Sequence, residues 1–280
     1  MQFSRLFVLI CFGVFVQFAP GLASAQSDEY FRKAIPEYPD LQFPSEMRPW
    51  GTPSREGNDI FKPTGDGPFP AVVLAHTCGG IEPHIYQRAK EILDAGYAVL
   101  VLDAYTSRNQ FRYCTPAGVG APRYYKDAYD GLAHLLKMKA VDPSRIYLVG
   151  FSLGSFVAAV AGSPSVAILI DSKNRFRASV GWYGSCVYKP GRGPQWELIR
   201  SDSDRPILLL LAGKDSETPI DVCFPLLENL KREGKPIEWH VYPHVTHAWD
   251  KDNERRGYRS DTEATADAMR RTLAFLAQHK

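Results

Sequence analysis

Apolar segments recur along the chain from residue 71 onward, at 71–75, 98–102, 146–149, 178–183, 206–211 and 237–242. The first two are unbroken, Ala-Val-Val-Leu-Ala and Ala-Val-Leu-Val-Leu, and continuous apolar character predicts strands covered on both faces. The stretches at 86–95, 124–138, 220–232 and 262–279, and the small-residue segment that begins at Leu153, predict helices. Strand and helix alternate to the end of the chain. That order predicts an α/β fold: a mostly parallel central sheet with helices on both faces. No internal repeat or dividing linker interrupts it. Residues 70–280 therefore read as one domain, and 26–69, rich in proline, polar and charged residues, as an N-terminal arm lying over it. Within the arm, a short extended pair is expected near 47–61.

Composition narrows the class. At 280 residues, 45% hydrophobic and 23% charged, the chain is long enough to bury one large core. Its net charge of +2, without long blocks of either sign, gives no electrostatic footprint for nucleic acid or an anionic membrane. Residues 1–25 differ: one charge, Arg5, precedes a largely apolar stretch over 6–18 and then Ala23-Ser24-Ala25, a small-x-small cleavage pattern. This reads as a signal peptide, too short to span a bilayer, with the mature chain starting at Gln26 and residing in the periplasm or outside the cell. Export changes how the cysteines read. Cys11 leaves with the leader, and Cys78, Cys114, Cys186 and Cys223 remain as an even set in an oxidising compartment. No C-x-x-C pair is present, and the spacing leaves all three pairings open.

The candidate chemistry gathers at the carboxyl ends of the predicted strands, where ligands bind in open α/β sheets. These positions are His76 to Gly80, Asp103 to Arg108, Ser152, Asp215 and the loop holding His247. Gly150-Phe151-Ser152-Leu153-Gly154 has the form of a nucleophile elbow, in which a serine sits on a sharp strand-to-helix turn. A serine hydroxyl needs an imidazole to take its proton and a carboxylate to orient that imidazole. Ser152, Asp215 and His247 occur in the order of α/β-hydrolases. His244 competes with His247 because it shares the loop; Glu217, Asp221, Asp103 and Asp250 are alternatives to Asp215. The developing oxyanion needs two N–H groups, and Leu153 and Cys78 are the candidates.

These segments together resemble the dienelactone hydrolase family, in particular its exported bacterial members. The resemblance runs from about residue 70 to the C-terminus. It rests on His76-Thr77-Cys78-Gly79-Gly80, Gly96 to Leu100 with Asp103, Arg108 with Cys114, the elbow, Trp182 to Cys186, Gly213-Lys214-Asp215 with Thr218-Pro219 and Cys223, and Tyr242-Pro243 with His247 to Asp250. It implies the α/β-hydrolase fold, Ser152, Asp215 and His247 as a triad, and Cys78 and Leu153 as oxyanion donors. It also implies disulfides Cys78–Cys114 and Cys186–Cys223. Relatives that act on dienelactone itself carry a cysteine where Ser152 stands, and hold the substrate carboxylate with arginines. Here Arg108 lies near the first arginine position and Lys251 near the second, and Thr77 replaces a glycine found in exported relatives.

The expected protein is a serine hydrolase of a small ester or lactone that works without metal or organic cofactor. Esters of polymers or carbohydrates, and a non-catalytic binding role on the same fold, are the competing expectations. The oligomeric state is not legible.

Overall fold

The computed structural model describes residues 28–29, 32–33, 35, 38–54, 57–110, 114, 121–188, 196–253 and 256–280. The leader expected over 1–25 lies outside the described residues. In chain order the strands are β1 (Asp59–Phe61), β2 (Phe69–Ala75), β3 (Ala98–Leu102), β4 (Val141–Phe151), β5 (Ser179–Trp182), β6 (Val187–Tyr188), β7 (Trp196–Glu197), β8 (Ile207–Ala212) and β9 (Ile237–Tyr242). The helices are α1 (Pro83–Asp94), α2 (Ala121–Leu135), α3 (Leu153–Val160), α4 (Pro164–Leu169), α5 (Phe224–Arg232) and α6 (Thr262–Gln278).

Among the described residues, seven strands form one sheet in the order β1-β3-β2-β4-β5-β8-β9, and β6 pairs with β7 in a separate ladder. Only the edge pair β1–β3 is antiparallel within the large sheet. The unbroken apolar runs are its inner strands, and every residue of β3 and β8 is buried. Alternate side chains feed two cores. Val73, Leu100, Leu148 and Leu209 meet α2, α3 and α5 through Tyr124, Leu132, Val157 and Leu227. Val72, Val99, Val149 and Leu210 meet α1 and α6 through Ile85, Ile92 and Leu276.

The differences from expectation are local. Pro83 opens α1 earlier than 86, its fixed φ suiting the first helical turn. The helix expected from 220 begins at Phe224, because the residues after Asp215 turn back onto its carboxylate. The sheet also reaches into the segment read as an arm. β1 pairs with β3, and Arg48 bridges to Phe61 beside it, which is the extended pair expected near 47–61. Further along the arm, Leu41 is buried, and the backbone carbonyls of Pro39, Gln42 and Pro44 accept hydrogen bonds from Arg108, Asn58 and His134.

Candidate active site

Packing geometry accounts for the elbow's two glycines. A Cβ on Gly150 would lie 1.9 Å from the Gly154 carbonyl oxygen, and one on Gly154 would lie 2.1 Å from the Ala75 oxygen. No side chain fits at either place. Between them Ser152 adopts φ 52° and ψ −110°, a conformation non-glycine residues seldom hold. Its N–H donates to the Trp182 carbonyl at 3.0 Å, which locks the turn to β5. The turn thereby lifts the hydroxyl off the end of β4 toward the loop after β9.

There it meets His247. The Ser152 Oγ lies 2.9 Å from Nε2, and Nδ1 lies 2.7 Å from Asp215 Oδ2. The His247 side chain is 4% exposed and that of Asp215 fully buried, so solvent competes little with either bond. Asp215 is held from its own loop: Oδ1 accepts the N–H groups of Glu217 and Thr218 at 2.9 and 2.8 Å, and Oδ2 accepts the Thr218 hydroxyl at 2.7 Å. The rings of Tyr183 and Tyr258 pack against the imidazole.

The alternatives lie elsewhere, and Asp221 is exposed. His244 is exposed and paired with Asp261 at 3.2 Å. Asp103 accepts the N–H groups of Tyr105 and Thr106, closing the turn after β3. Asp250 is buried under the Tyr183 hydroxyl, and Glu217 approaches Nε2 at 3.8 Å rather than Nδ1.

The loop after β2 forms the facing wall. Gly80 N–H donates to the Thr77 carbonyl at 3.0 Å and Gly79 N–H to the Thr77 hydroxyl at 3.1 Å, so threonine in place of glycine gives this turn an internal cap. Behind it sits His76, fully buried, which sequence reading left without a role. The Ala104 N–H donates to its Nε2 at 3.2 Å, so Nδ1 carries the proton and donates to the Thr77 carbonyl at 2.6 Å. Burial pushes its pKa down, which keeps this neutral tautomer. The Thr77 carbonyl and the Cys78 N–H belong to one trans peptide and point in opposite directions. Holding the first aims the second. The His76 carbonyl in turn accepts the Gly154 N–H at 3.2 Å, tying this loop to the elbow. Leu153, as the first residue of α3, has no intrahelical acceptor for its own N–H.

Both disulfides implied by the resemblance are present, Cys78–Cys114 at the cleft and Cys186–Cys223 behind the Asp215 loop. A cleft opens between Ser152, His247, the Cys78 turn and the segment after His247. Lys251 lines it. Arg108 does not, and this corrects the substrate-binding role expected for it. Its side chain is 2% exposed, forms a two-pronged pair with Asp127 at 2.6 and 2.9 Å, and donates to the Pro39 carbonyl. The second cation of the cleft is instead Arg256, beside Asn253 and Tyr258. Sequence reading passed over this segment because it follows no strand. Among the described residues, no group of three or more His, Cys, Asp or Glu side chains is arranged to hold a metal ion.

With this geometry in view, the relatives of the chain can be placed. The model of the dienelactone hydrolase family matches residues 59–280. The chain belongs to the dienelactone hydrolase family. A Yersinia pestis protein provisionally named carboxymethylenebutenolidase is 24% identical over 224 residues, covering 76% of this chain and 79% of that one. Among solved structures, a provisionally identified dienelactone hydrolase from Klebsiella pneumoniae superposes with a TM-score of 0.64 at 22% identity, covering 79% of this chain and 92% of that one. An esterase from the planctomycete Thermogutta terrifontis, with butyrate bound, superposes at 0.60 and 15% identity, covering 79% and 88%. At these identities the structural likeness establishes the α/β-hydrolase fold, and the family match begins at β1, inside the segment read as an arm.

Proposed function

We propose that this member of the dienelactone hydrolase family is a serine hydrolase that cleaves small carboxylic esters or lactones through an acyl-enzyme. The single observation that carries the reading is the relay from Ser152 Oγ to His247 Nε2 at 2.9 Å and from Nδ1 to Asp215 at 2.7 Å. His247 takes the Ser152 proton as Oγ attacks the carbonyl carbon, and Asp215 holds the imidazolium that forms. The oxyanion accepts the N–H groups of Cys78 and Leu153, the first aimed by His76. His247 then protonates the leaving oxygen, and activates the water that releases the acid.

Two tests bear on this. A fluorophosphonate is expected to give a single adduct on the peptide bearing Ser152. Ser152→Ala, folded by thermal melting, is expected to lose at least about a thousand-fold in p-nitrophenyl ester turnover. Near-normal turnover in that variant, or an adduct elsewhere, overturns the mechanism.

We also infer export with removal of residues 1–25, supported by two disulfides of the kind that persist in oxidising compartments. The N-terminus of the protein recovered from its native host is expected at Gln26.

A further inference from the structure

The cleft and its rim carry four charged side chains in two pairs. Arg256 Nη1 lies 3.2 Å from Glu217 Oε1, and Glu217 also accepts the Tyr258 hydroxyl. Lys251 donates to Glu82, and both side chains are partly screened from solvent, 16% and 29% exposed. The third cation, Arg108, is consumed by Asp127 outside the cleft. The walls are therefore charge-compensated.

Glu82 is unusual in its position. It stands at the N-cap of α1, where a short polar side chain would turn back onto the helix N–H groups, yet it makes no such cap. Its carboxylate instead reaches over the oxyanion loop: a Cβ on Gly79 would come within 2.9 Å of Oε2. That places a negative charge between the Lys251 ammonium and the Cys78 turn.

We propose that Glu82 sets the charge selectivity of this site, so that it takes esters or lactones without a negative charge near the scissile carbonyl and turns away those bearing a carboxylate. The inference rests on the hydrolase reading above and names its substrate class. A carboxylate entering the cleft must displace Glu82 from Lys251 or lie beside it, like charge against like charge in a partly desolvated site. A neutral acyl group meets neither cost. Lys251 in turn offsets Glu82 where the oxyanion develops.

The test compares kcat/KM for two esters of similar acyl length, p-nitrophenyl butyrate and mono-p-nitrophenyl succinate, at low and high salt. Wild type is expected to favour the butyrate at least about ten-fold, the scale of one charged hydrogen bond. Glu82→Gln is expected to shift the succinate-to-butyrate ratio about ten-fold toward succinate, an effect that shrinks with salt. Adding Lys251→Gln should abolish the shift. Glu82→Ser, which supplies a good helix cap, serves as a second variant should the first fold poorly. An unmoved ratio in the folded variants, or a wild type that prefers the succinate, overturns the proposal while leaving the hydrolase reading standing. A wild type inert to both esters overturns the hydrolase reading, and this proposal with it.

Discussion

Replacing Asp250 with asparagine isolates the cost of a buried carboxylate beside the loop that carries His247. Asp250 is 8% exposed; Oδ1 accepts the Tyr183 hydroxyl at 2.9 Å, and Oδ2 has no partner among the described residues. Burial pushes its pKa from 3.8 to about 6, against the opposing pull of Tyr183, Arg88 and Lys251. Between these two values the folded protein holds a proton that the unfolded chain has released. Stability therefore falls as pH rises through the window, and the full penalty is present above it. About two pKa units correspond to about 3 kcal/mol, an upper figure because the neighbours can relax. Asparagine keeps the acceptor for Tyr183 and cannot ionise. Whatever its amide N–H groups cost to bury there does not vary with pH. The assay is urea unfolding followed by tryptophan fluorescence, disulfides intact, for both proteins from about pH 4 to pH 8. The stability difference is expected to move in favour of the variant by up to about 3 kcal/mol between those limits. Parallel curves refute the argument. Ester turnover should survive, since Asp215, not Asp250, orients His247.

Other outcomes are expected. His76→Leu should lower kcat about ten- to hundred-fold with KM little changed, by misaiming the Cys78 N–H. His76→Asn, which can still donate to the Thr77 carbonyl, should recover part of that loss in the same steady-state assay; equal losses would mean that His76 only fills space. Replacing Cys78 and Cys114 with serine opens a loop of sequence separation 36, worth up to about 4 kcal/mol on the chain-entropy estimate. Denaturant titration reads that cost, and kinetics should show kcat falling more than KM. Arg108→Met removes the charged hydrogen bonds to Asp127 but leaves that carboxylate paired with Arg123, and should cost about 1.5–3 kcal/mol of stability while leaving the succinate-to-butyrate ratio where it was. A changed ratio would return Arg108 to the substrate.

What was legible in the sequence was set by backbone volume and strand ends. Gly150 and Gly154 stand out in the chain because no side chain fits there. Asp215 and His247 could be found because each closely follows an apolar strand. Arg108 follows β3 just as directly, yet its fate depends on a carboxylate on α2 and a carbonyl in the arm, which no local pattern reveals. Arg256 and Tyr258 lie in a segment without periodicity, and their place in the cleft comes from how the chain returns after His247. β6 and β7, of two residues each, are too short to carry a pattern. His76 was visible as part of a motif, but its tautomer, and hence its use, follows only from the Ala104 N–H that faces it.

The arm's grip on α2 bears on where this protein begins as a physical object. Arg108 and Arg123 share one fully buried carboxylate, Asp127. Other guanidinium N–H groups are met by the Ala104 carbonyl and, from the arm, by the Pro39 and Ile35 carbonyls and by Asp40. Kinship with the family is detectable from residue 59. A chain cut at that border would keep both cations on one anion and leave water to take the place of their outer acceptors. Ancestry and electroneutrality thus draw the edge of the domain on opposite sides of the arm.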